Sequence, residues 1–162
     1  MNKEVVNDFD QWAVHFESVY GVNNVTYFTS LSEKIGCLFV QTKALQDAIR
    51  KEAPRERQER VLAHVFAWTF AVVNHCKFES IATIMCEKYP AQGCGYCLGF
   101  PCRCDPNRSQ EHQPQTFDTV QVLWDLSSWQ RYFDLLYGAV NRQRGIENAL
   151  NRLFAEIGEV TQ

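Results

Sequence analysis

No uncharged apolar stretch in this 162-residue chain approaches the roughly 20 residues that cross a bilayer, so a membrane span is not expected. Positive charge is not in excess either. Sixteen Lys and Arg stand against 19 Asp and Glu, for a net charge of -3. That balance lacks the basic surplus that neutralises phosphates, and nucleic acid is not the expected partner. Proline is nearly missing from the first half, where Pro54 stands alone before Pro90. Runs that alternate apolar and polar residues are missing too, which excludes a domain built on sheets. Met1 to Asp10 lack the apolar h-region of a secretory signal. A cytoplasmic protein is therefore expected, with its seven cysteines as reduced thiols or metal ligands, not disulfides.

What is present is a globular composition, 46% hydrophobic and 22% charged, which excludes wholesale disorder. Its apolar residues recur at helical spacing. Phe9, Trp12, Phe16, Val19 and Tyr20 make one helix face, with Asn7 or Asp8 to cap it and Gly21 to end it. From about 30 to 50, Leu31, Ile35, Leu38, Leu45 and Ile49 make a second face, widened by Phe39. Ser30 with Glu33 three residues on has the capping-box spacing. From about 56 to 76 the run VLAHVFAWTFAVV is apolar almost all round, the pattern of a central, buried helix. A fourth helix over 79–88 places Ile81, Ile84 and Met85 on one side and stops before Pro90.

Residues 103–118 are polar and rich in Gln, Asn and Pro, and read as a loop. Two more helices follow. One carries Trp129, Phe133, Leu136 and Tyr137, capped by Asp125 or Ser127. The other carries Ile146, Ala149, Leu150, Leu153, Phe154, Ile157 and Val160. The class is all-α.

The chain repeats itself. FDQWAVHFESVYG at 9–21 matches LSSWQRYFDLLYG at 126–138, pairing Trp12, Phe16, Tyr20 and Gly21 with Trp129, Phe133, Tyr137 and Gly138. Asn24 then pairs with Asn141, and after a five-residue offset LSEKIGC at 31–37 matches LFAEIGE at 153–159. Within the 162 residues the second copy stops short of a match to the third helix or to the cysteine segment.

Four of the seven cysteines fall within eleven residues, as Cys94-x2-Cys97-x4-Cys102-x-Cys104. Each short pair can offer two thiolates from a tight turn, and Zn²⁺ takes four such ligands in a tetrahedron. Gly95, Gly99 and Pro101 mark the short loop between the pairs, and glycine lets backbone amides turn toward the sulfurs. Four sulfurs leave no open position for water, so the metal is expected to be structural. Reduced thiols in a loop, a redox dithiol and an iron–sulfur cluster are the alternatives. Cys37, Cys76 and Cys86 fall on helices and are expected to be buried thiols.

The order of these segments resembles the MazG-like branch of the all-α NTP pyrophosphatases. The resemblance rests on Trp12 with Tyr20-Gly21, on LSEKIGCL, on Ala63-His64-Val65-Phe66-Ala67-Trp68, and on KYP followed by the CxxC–CxC knuckle. It covers about residues 9–104, with a partial second copy at 126–162. It implies a four-helix bundle that assembles into homo-oligomers, and Mg²⁺ held by an EExxE motif on the second helix and an ExxD motif on the third. The implied reaction cleaves a nucleoside triphosphate between its α- and β-phosphates, to a monophosphate and pyrophosphate. Carboxylates three and four residues apart share a helix face, and hard oxygens suit Mg²⁺.

The chain departs from those motifs. The EExxE positions read Glu33-Lys34-Ile35-Gly36-Cys37, with one carboxylate of three and an added cation. The ExxD positions read Val61-Leu62-Ala63-His64, with none, and Glu56 and Glu59 sit about one turn early as surface charges. The second copy, Ala155-Glu156-Ile157-Gly158-Glu159, keeps two of three.

The candidate catalytic residues are therefore Glu33, Glu156 and Glu159, and the candidate substrate-binding residues are Lys34 and His64. His64 also fits a core histidine, and the two second-copy acids also fit a solvated face. The expected organisation is a helical domain over 1–90, a zinc knuckle over 91–105, a linker over 106–124 and a partial repeat over 125–162. The expected function is nucleotide or partner binding with weak or no hydrolysis. The alternatives are an active Mg²⁺-dependent hydrolase completed across copies or subunits, and a zinc-containing adaptor for other proteins.

Overall fold

A computed structural model of the chain describes residues 8–78, 80–89, 94, 97, 99–104 and 125–159. These residues are helical without strands: α1 (Phe9–Tyr27), α2 (Leu31–Arg50), α3 (Arg55–Cys76), α4 (Ile81–Lys88) and α5 (Leu126–Glu159). No helix among them is long and apolar enough to cross a membrane. Asn7, the expected linker at 106–124, Gly95 and Val160 lie outside the described residues.

Compactness divides the chain into two units, one from Met1–Asp10 with Glu79–Gly145, the other from Gln11–Phe78 with Ile146–Gln162. The segment over 125–162, a single piece in the sequence pattern, thus contributes to both. The division falls at Gly145, whose φ of 77° and ψ of 169° interrupt α5 between the two helices expected there. That conformation is open essentially to glycine alone. A Cβ at Gly145 would meet nothing within 4 Å, so a substitution there acts through the backbone only. Gly145→Ala should destabilise the protein by about 1–3 kcal/mol, measured by urea unfolding. An unchanged midpoint would rule out this backbone geometry.

In the larger helical unit, α2 and α3 pack along each other around Ile35, Leu38, Leu45 and Val65, joined by Leu150 and Ile157 of α5. Local chemistry sets the start of α2. Glu33 N–H donates to Ser30 Oγ at 3.2 Å, and Ser30 N–H donates back to Glu33 Oε2 at 2.9 Å, completing the expected capping box.

The end of α1 is set from the next helix. The helix does not stop at Gly21 but runs six residues further, to Tyr27. Lys34, only 5% exposed, explains this. Its ammonium donates to the carbonyls of Asn24 and Phe28, acceptors that a helix C-terminus leaves without partners. Its Nζ also lies 3.3 Å from His75 Nδ1.

The expectation for α3 is corrected. It is one-sided, not buried all round. Val65, Phe70 and Ala71 are buried, whereas Leu62, Ala63, His64 and Phe66 are exposed. An unbroken apolar run hides its own polarity from a periodicity reading, and only packing shows which side faces inward.

In the other unit, Trp129, Tyr132 and Leu136 of α5 pack with the fully buried Cys94, and Phe9, Met85, Tyr89 and Phe133 surround them. Asp125 Oδ1 accepts from Ser128 N–H at 2.6 Å and caps α5. Asp10 accepts from Ile81 N–H at 2.7 Å and from Ser80 Oγ at 2.8 Å, which satisfies the start of α4. Ile84 is exposed, not on the packed side with Met85, because the inward residue of that turn is Ala82.

The sequence repeat is also a repeat of side-chain geometry. In the first copy Trp12, Phe16 and Tyr20 form a ladder with ring centroids 5.7 and 6.0 Å apart. In the second, Trp129, Phe133 and Tyr137 do so at 5.5 and 6.2 Å. Each ladder ends on a buried helical glycine over which an acid four residues earlier folds, Glu17 over Gly21 and Asp134 over Gly138. A Cβ at Gly21 would sit 2.7 Å from Glu17 Oε1, and at Gly138 closer still to Asp134 Oδ1. The copies differ in burial: Trp129 is buried where Trp12 is half-buried, and Tyr137 is half-buried where Tyr20 is exposed.

Candidate metal centre

Cys94, Cys97, Cys102 and Cys104 bring their sulfurs within 4.8 Å of one another. Cys94 and Cys104 Sγ are 3.6 Å apart, and Cys97 and Cys102 Sγ are 3.9 Å apart. Zinc–sulfur bonds of about 2.3 Å in a tetrahedron place sulfurs about 3.8 Å apart, so the donor set and its spacing fit Zn²⁺.

Two forces anchor this cluster to α5. The Cys102 N–H donates to the Leu136 carbonyl at 2.9 Å, and Tyr137 Oη donates to Cys94 Sγ at 3.8 Å. Backbone amides complete the shell. Arg103 N–H points at Cys97 Sγ and Cys104 N–H at Cys102 Sγ, both at 3.4 Å. These donors would spread the negative charge that four thiolates bring to a bound metal.

The thiols differ in acidity accordingly. Burial pushes Cys97 up, but the amides of Arg103 and Gly99 outweigh it and hold its thiol down at about 7. Burial dominates at Cys102 and Cys104, which are raised. Tyr137 is raised by burial and by its hydrogen bond to Cys94, so its hydroxyl stays protonated and donates. The sequence pattern identified the four sulfurs but not Tyr137. Its place in the repeat, as the last rung of a ladder, was the available signal.

The remaining candidates are placed differently. Among the described residues the four cysteines are the one group of three or more His, Cys, Asp or Glu side chains able to hold an ion. Glu33, His64, Glu156 and Glu159 are exposed and form no such group within the chain. His64 is thus not a core histidine. Lys34 is turned inward, onto the end of α1. Cys37, Cys76 and Cys86 are half-buried, not fully enclosed.

One cleft, of about 350 Å³, does open at the EExxE positions. Glu33, Gly36, Cys37, Val40 and Gln41 line it from α2, at spacings of three and four that define a single helix face. Tyr27, Phe28 and Trp68 close it. Phe28 and Trp68 meet edge to face, with centroids 4.8 Å apart. The Glu33 carboxylate is held below the usual range, first by the Ser30 backbone N–H, then by the Ser30 hydroxyl and the Thr29 N–H.

Fold and site together define an all-helical protein with a four-cysteine centre able to hold a metal ion. No family model, curated protein or solved structure matches the chain.

Proposed function

We propose that this is a MazG-like helical binding protein with a structural zinc centre and a degenerate magnesium site that does not turn over nucleotides. The observation that carries the proposal is the fate of Glu33. It is the only carboxylate at the first-copy motif positions, and it is engaged by Ser30 in the capping box of α2. A pair of divalent ions beside a triphosphate needs several carboxylates, and the cleft supplies one. The same proposal includes self-association through apolar side chains such as Val14, Val22 and Val25 of α1, which are 71%, 83% and 71% exposed.

One observation favours the alternative of an active hydrolase. Ile35 and Ile157, equivalent in the repeat, share one core cluster. The helix turns bearing Glu33 and Glu156 therefore belong to the same packing unit, and a second chain could complete the set. Pyrophosphate release from a panel of ribo- and deoxyribonucleoside triphosphates, with Mg²⁺ or Mn²⁺, decides between them. The expected result is no release above the metal-only blank. Release that disappears in Glu156→Ala and Glu159→Ala would establish the alternative.

A further inference from the structure

We infer that the cleft between α2 and Trp68 binds a small organic ammonium ion, held by aromatic rings and by the charge of Glu33. The inference rests on the proposal that this cleft is too poor in carboxylates to hold the magnesium ions of a hydrolase.

The cleft is within the roughly 300–1,000 Å³ range of small-molecule sites. Its composition is one-sided. Three of its lining residues are aromatic, one is a carboxylate, and none is cationic. The nearest lysine in sequence, Lys34, has its ammonium committed to the carbonyls of Asn24 and Phe28. Glu33 is kept ionised by donors from Ser30, so the negative charge is a fixed feature at neutral pH. An anion entering here meets repulsion and no compensating charge. A triphosphate without metal is the worst such guest.

A quaternary or alkylated ammonium gains twice. Ring faces attract it through their quadrupoles, and the carboxylate attracts it directly. Gly36 contributes space, because a Cβ there would meet nothing within 4 Å. Cys37 adds a neutral wall, since burial, and then the charge of Glu33, raise its thiol pKa.

The probe is choline, with 3,3-dimethylbutan-1-ol as its uncharged counterpart of the same shape. Calorimetric titration of the full chain at constant ionic strength should show saturable choline binding, with Kd on the order of 1 mM. The alcohol should bind at least about tenfold more weakly, the ratio expected for one cation–π and charge contribution. Glu33→Gln retains the capping-box donor and acceptor and should weaken choline about tenfold. Tyr27→Ala, at a side chain 69% exposed, should weaken it without altering the melting temperature.

Equal binding of alcohol and choline, full affinity in Glu33→Gln, or no saturable choline binding would each overturn the inference. ATP binding more tightly than choline would overturn it too. Absent choline binding with absent pyrophosphate release rejects the ammonium site alone. Pyrophosphate release rejects the non-hydrolytic proposal beneath it.

Discussion

The proposed zinc at Cys94, Cys97, Cys102 and Cys104 predicts that a chelator lowers the melting temperature by about 8–16 °C. A ligand at a thousand times its Kd contributes about 4 kcal/mol, and each kcal/mol moves the midpoint of a chain this long by roughly 2–4 °C. The effect is large because the sulfurs are part of a core. Cys94 is fully buried, and the cluster packs on Trp129, Tyr132 and Leu136. Without a cation, that core must enclose thiols whose acidities pull apart, with Cys97 held down at about 7 while Cys102 and Cys104 are raised. A bound cation would let all four be thiolates together.

Elemental analysis of protein purified without added zinc should give about one equivalent per chain. Cys97→Ser should lose the metal and reproduce the chelator's effect. Cys76→Ser, half-buried outside the cluster, should keep the metal. A metal content below about half an equivalent, or a melting curve indifferent to chelator, would exclude a structural zinc role.

Features set by near neighbours were legible in the sequence. The capping box at Ser30 and Glu33 is written in four residues, and the structure forms it as spaced. The cysteine pairs are likewise close enough along the chain for spacing to bring their sulfurs together. The repeat was legible as letters, and its ladder of rings and its acid over each glycine follow from a shared helical register.

Features set by contacts between one helix and another were not legible. Gly21 is an ordinary helix stop, but Lys34, thirteen positions on, supplies donors to the end of α1 and the helix continues to Tyr27. The charge at Lys34 counts toward a cleft in one dimension and toward a helix terminus in three. The aromatic cleft was hidden for the same reason, since Tyr27, Phe28 and Trp68 meet α2 only through the fold.

Which side of α3 faces inward is also set by packing, and a pair of substitutions measures it. Phe70→Ala should cost about 3–5 kcal/mol, or roughly 6–20 °C in melting temperature. Phe66→Ala, one turn earlier, should cost under about 1 kcal/mol. Phe70 is 3% exposed and stacks on Phe16 at 5.1 Å with rings 10° from parallel. Phe16 is itself the middle rung between Trp12 and Tyr20, so losing Phe70 leaves a cavity beside the centre of the ladder. Phe66 is 43% exposed and has little to leave behind. Both residues are equally apolar letters in VLAHVFAWTFAVV, and a helix buried on every side would make them equally costly. A ratio of about three or more in unfolding free energy supports the one-sided helix. Equal costs would mean that Phe66 is covered in solution, and the exposed α1 and α3 side chains would then be those of an assembled surface.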